Sequence, residues 1–143
     1  MPIDPESPEG ALLKRNLSAL IRALAALPVS YVAVRFDGAK GRCRTSTIET
    51  SPVFAADLLH TTRVVLERLS VDAGLAPVAT QPEETALGEG LRRFTLHWAS
   101  LALGHWQRGD GGHGVMRLNV RTRQVTLDFD AIHIESLHLT LEG

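Results

Sequence analysis

Two groups of residues carry side chains suited to metal or acid–base chemistry. His105, Asp110 and His113 lie close together in the chain. Two imidazoles and a carboxylate form a sensible ligand set for zinc or another divalent cation. Such a site would serve a metal-dependent hydrolase. The H-x4-D-x2-H spacing matches no established ligand motif, however. The simpler account is a helix end followed by a glycine turn bent by an aspartate. Asp128, Asp130, His133, Glu135 and His138 form the second group. Strand alternation places Asp128 and Asp130 on one polar face, where acids beside a histidine suit acid–base or metal-assisted hydrolysis. An exposed sheet face also needs polar residues merely to stay in solution.

Cations fall in two hairpins: Lys40, Arg42 and Arg44 in one, Arg117, Arg121 and Arg123 in the other. Brought together, they would make a basic patch fit for phosphate contacts. The interleaved acids, the few aromatic residues and the absence of any common nucleic-acid motif weigh against that use. Cys43 stands between Arg42 and Arg44, a setting that lowers a thiol pKa; an ordinary strand residue is the simpler reading. No G-x-S-x-G elbow, P-loop or dinucleotide fingerprint occurs.

The elements that position these residues follow from periodicity. Ser7-Pro8-Glu9 is a helix start, with a hydroxyl cap, a first-turn proline and an acid. Leu13, Leu17, Leu20, Leu24 and Leu27 then recur on one helical face, with Lys14, Arg15, Ser18 and Arg22 off it, and Pro28 ends the run. Tyr31 to Phe36 alternates as a strand, Asp37-Gly38 signals a turn, and Cys43 to Thr50 returns. Phe54, Leu58, Val65 and Leu69 fit one helical face, yet β-branched Thr61, Thr62, Val64 and Val65 suit a strand. Periodicity leaves 62–71 open; the reading taken is a short helix near 53–60, a strand near 62–71 and a loop to Pro82. A second helix starts at Glu83, with Leu87, Leu91, Phe94, Trp98 and Leu101 as its apolar stripe and an end at Gly104. Val115 to Val120 and Gln124 to Asp130 form the clearest hairpin. Met116, Leu118, Val120, Val125, Leu127 and Phe129 line one face of it, and Arg117, Asn119, Thr126, Asp128 and Asp130 the other. The expected fold is a two-layer α+β domain spanning 1–143, with residues 1–6 a flexible tail. It has a mostly antiparallel sheet of four or five strands and two main helices on one face.

Phe36-Asp37-Gly38 after a strand, Trp106 followed by Asp110-Gly111-Gly112 and Gly114, and Arg123 to Phe129 together resemble a known family. It consists of small bacterial proteins, often carried on plasmids and other mobile elements, and is catalogued only as a domain of unknown function. The likeness covers residues 30–50 and 85–130. It implies a fold, and it implies no chemistry. The chain departs from the pattern in its first loop, where Lys40, Arg42 and Arg44 replace small and acidic residues.

Composition narrows the functional classes. The chain has 143 residues, 44% of them apolar, with 15 basic and 16 acidic side chains and a formal net charge of −1. A wholly disordered chain is excluded, and overall charge does not drive binding to nucleic acid or to a membrane surface. One cysteine, no export signal and no run near the roughly 18 apolar residues of a membrane helix favour the cytoplasm. The leading expectation is a non-catalytic module that needs no cofactor and binds another macromolecule, a protein. A homodimer is a further expectation, because Ile132, Ile134, Leu137, Leu139 and Leu141 carry apolar side chains on both parities and want cover. A hydrolase using His105, Asp110 and His113, or a nucleic-acid accessory using the arginine turns, are the alternatives.

Overall fold

A computed structural model describes residues 7–39, 42–69, 80–103, 111–131 and 136–142. Helix α1 (Pro8–Ala25) begins as its sequence dictates: the Ser7 hydroxyl accepts from the Gly10 amide at 3.0 Å, with Pro8 in the first turn. Leu13, Leu17, Leu20 and Leu24 are wholly buried, so the leucine stripe is a core face. Strands β1 (Tyr31–Ala39) and β2 (Arg42–Ser51) follow, then a 3-10 turn (Val53–Asp57) and the single-turn helix α2 (Leu58–Thr61). Next come β3 (Arg63–Leu69), β4 (Thr80–Ala86), α3 (Leu87–Leu103), β5 (Gly112–Asn119), β6 (Gln124–Ala131) and β7 (Ser136–Glu142).

Five strands form one antiparallel sheet in the order β2-β1-β5-β6-β7, and β3 and β4 pair as a separate hairpin. The architecture is the expected α+β one, with a five-stranded sheet and helices packed on it. Val32, Val34, Phe36, Met116, Leu118, Val125, Leu127 and Phe129 are buried against the helices. Leu139 and Leu141 lie opposite Leu127 and Val125 and pack against the same core. Both leucines are partly buried there, on the edge strand of the sheet. Ile132 and Ile134 lie outside the described residues.

The sequence expectation fails at two places. Asp37 and Gly38 do not form the turn; both lie within β1, which continues to Ala39. They are held on both sides, by Arg44 and Cys43 of β2 and by His113 and Gly112 of β5. Two flanking ladders outweigh a local turn preference. Helix α3 likewise starts at Leu87 rather than Glu83, because residues 80–86 are drawn into β4 beside β3. Pro82 sits in this strand at the margin of a two-stranded sheet, where a missing N–H is tolerated. The apolar stripe of α3 stands otherwise, with Leu87, Leu91, Phe94 and Trp98 buried.

The hairpin is fastened to α1 by one side chain. Asn16 donates through Nδ2 to the Glu67 carbonyl at 2.9 Å, and its Oδ1 accepts from the Glu67 amide at 2.8 Å. A primary amide thus satisfies β3 much as a neighbouring strand would. Gly90 lets α3 approach: a Cβ there would meet Leu66, Val64 and Leu20 side chains at 3.1–3.3 Å. No described helix is long and apolar enough to cross a membrane.

Candidate functional site

Strand parity decides which side chains leave the core. The face of the large sheet opposite the helices carries Arg35 and Asp37 from β1, Arg44 and Glu49 from β2, and His113, Val115 and Arg117 from β5. Asp128 and Asp130 of β6 and His138 of β7 complete it. Pairing aligns them in cross-strand rows. One runs Arg44, Asp37, His113, Asp130, and the next Arg35, Val115, Asp128, His138. Arg35, Arg117, Asp128 and His138 surround a hollow of about 430 Å³ floored by Gly114 and Val115.

Asp128 is the hub of this face. One carboxylate oxygen accepts from Arg117 Nη1 at 2.6 Å, and the other meets His138 Nδ1. The carboxylate fixes the imidazole through Nδ1, which leaves Nε2 as the nitrogen aimed elsewhere. His113 Nε2 lies 3.8 Å from Asp130, Arg35 bonds Glu49 at 3.1 Å, and Arg44 bonds Asp37 at 3.0 Å. The face is therefore a lattice of alternating charge whose cations already have carboxylate partners. Ala33 (4% exposed) and Val115 (6%) form an apolar floor beneath the long side chains.

The expected site residues divide as follows. Arg117, Asp128 and Asp130 come together on this face, and His138 joins them. Arg44 sits at one end with Asp37, whereas Arg121 and Arg123 lie in the β5–β6 turn, beyond Asn119, which faces Tyr31. Six strand residues, about 20 Å, separate these ends, so the cations do not merge into one patch. Arg42 starts β2 opposite Ala39. Lys40, His105, Trp106, Asp110, His133 and Glu135 lie outside the described residues. His113, the described member of the expected metal set, faces Asp130 instead. Among the described residues, no three His, Cys, Asp or Glu side chains converge on a metal position. Gly111 has a φ of 80°, which suits glycine, and Gly112 opens β5 between Gly38 and Ala131.

Sequence reasoning missed Arg35 and Glu49, although the alternation of Tyr31 to Phe36 already put Arg35 on the polar side. It also missed a cavity of about 230 Å³ between α1, β3, β4 and α3, lined by Leu12, Leu66, Phe94 and His97. Burial there pushes the His97 imidazole below its usual range, against the pull of the Glu9 carboxylate. At the rim, a hydrogen bond from Arg93 at 2.6 Å holds the Glu83 carboxyl below the ordinary range. The same bond raises Arg93.

Residues 12–141 match the family described as Family of unknown function (DUF6878). The chain belongs to that family. The match is to a family without assigned function, as the resemblance implied, and it spans nearly all of the elements above. Membership in DUF6878 brings no activity to the polar face, whose meaning has to be read from its geometry. Neither a curated protein nor a solved structure matches the chain.

Proposed function

We propose that this protein acts by binding another protein on the open face of its five-stranded sheet, and not by catalysis. The observation that carries the reading is the lattice of alternating charge centred on Asp128, with Arg117 and His138 on its two oxygens. Opposite charges laid out in fixed rows give register and partner choice to a protein interface. Arginine and tyrosine around an apolar floor are the side chains from which binding hot spots are built. Arg35, Arg117 and the half-buried Tyr31 stand around Ala33 and Val115 in this way. Nucleic acid fits the face less well, because Arg35, Arg44 and Arg117 are each neutralised by a carboxylate.

Thr126 and Thr140 face each other on the open side. Thr126→Arg and Thr140→Arg place a bulky cation on the face while leaving the Asp128 pairs intact. Affinity capture with both variants is expected to lose the same interactor that the unaltered protein retains. Capture profiles unchanged by either substitution overturn the reading.

A further inference from the structure

On the outer side of α1, away from the open sheet face, four cations border one groove. Lys14, Ser18 and Arg22 lie along a single ridge at i, i+4 and i+8, about 12 Å long. Arg15 lies beside them, and Arg123 closes the groove from the β5–β6 turn. The groove has a volume of about 510 Å³, and its far wall is Val65 and Glu67 of β3. Arg15 is engaged, since its Nε meets Glu67 at 2.6 Å. Among the described residues, no carboxylate lies within salt-bridge distance of Lys14, Arg22 or Arg123. The open sheet face pairs its arginines; among the described residues, this groove holds three cations without a carboxylate partner, in a chain whose net charge is −1.

Two further features bear on what the groove accepts. Val65 is 54% exposed, an apolar side chain beside the cations. Arg123 has a φ of 60°, a backbone that favours glycine. An arginine there keeps a cation on the groove at a place where local conformation would choose otherwise.

We propose that this groove holds an acidic segment of a partner protein, its carboxylates on Lys14, Arg22 and Arg123 and an apolar side chain against Val65. Concentrated, unpaired cations attract an anion strongly and locally. The 12 Å ridge matches about four extended residues. A nucleic-acid strand fits less well: among the described residues lining the groove there is no aromatic ring for stacking. The groove and the open face are separate surfaces, so this inference does not depend on the preceding one.

The test is fluorescence anisotropy with a labelled peptide of Asp and Glu around a central leucine, at low and at high salt. Controls are the Asn/Gln analogue and a single-stranded oligothymidine. Saturable binding of the acidic peptide, weakening with salt, is expected, with no binding of the analogue. Arg22→Gln and Arg123→Gly should each weaken it roughly tenfold, the loss of one charge-assisted hydrogen bond. Arg123→Gly removes the cation from a position that glycine suits, so weaker binding there cannot come from unfolding. Thr126→Arg should leave peptide binding unchanged. The proposal is overturned if peptide and analogue bind alike, if the Arg22→Gln/Arg123→Gly pair leaves affinity within about twofold, or if oligothymidine binds more tightly than the peptide.

Discussion

Phe36 and Phe129 stack with ring centroids 6.3 Å apart and planes within 7°, directly over Gly114, which pairs with both of them across the sheet. A Cβ at Gly114 would fall 2.5 Å from Phe36 Cζ and 2.5 Å from the Asp128 carbonyl. The absent side chain is what lets the two rings meet. On the opposite face, Gly114 lines the hollow beside Asp128.

Gly114→Ala should therefore destabilise the fold by about 1–3 kcal/mol, the usual cost of overpacking a core. Urea denaturation read by circular dichroism checks this. A midpoint equal to that of the unaltered protein would show that the rings yield without cost.

Asp128→Asn should barely alter stability, by about 1 kcal/mol or less, because pairs on a half-exposed face contribute little. Its effect should fall on the site, where His138 loses the carboxylate that fixes Nδ1 and Arg117 its 2.6 Å partner. Long-range nitrogen NMR of the imidazole should show a changed Nδ1 environment at unchanged thermal midpoint. A large fall in the midpoint would instead make Asp128 a structural residue.

Asn16→Ala should leave the amide and carbonyl of Glu67 without their side-chain partner, at about 1–3 kcal/mol for groups left unsatisfied. Hydrogen exchange locates the effect. The Glu67 amide should lose protection more than its neighbours on β3, and uniform loss along the hairpin would contradict the proposed fastening.

Stability should fall as pH drops below the ordinary histidine value. His97 titrates lower in the folded chain than in the unfolded one, so the unfolded chain binds more protons in that interval. Its contribution is complete above the unfolded value of 6.5 and is lost as pH falls through the lowered folded value. Glu83, also lowered, adds a second loss beginning below 4.5. Thermal midpoints of the unaltered protein and of His97→Gln should converge as the buffer is acidified from neutrality. Parallel curves would remove His97 from this role.

Much of this organisation was legible in the residues. The leucine stripe of α1 and the alternation of β5 and β6 are long enough for periodicity to decide, and alternation alone separates the two faces of that hairpin. Strand β4 was not legible. Its sequence, Thr80 to Ala86, holds Pro82 and two glutamates and has no apolar alternation, so only its pairing with β3 makes it a strand. The Asp37-Gly38 turn failed for the same reason, a local signal overridden by ladders on both sides. At the site, parity gave Arg117, Asp128 and Asp130 a common face. It could not give the partnership of Asp128 with His138, which depends on the register of a strand reached through residues 132–135.

One property of the sheet constrains how its surface can change. Val125, Leu127 and Phe129 alternate with Thr126, Asp128 and Asp130 along a single strand, so core and open face share one reading frame. Inserting or deleting one residue inside β6 would turn the two aspartates toward the helices and three apolar side chains toward water. The open face can thus be retuned only by like-for-like replacement of residues. Changes of length are confined to the turns, among them the turn at 121–123 that carries Arg123 to the other surface.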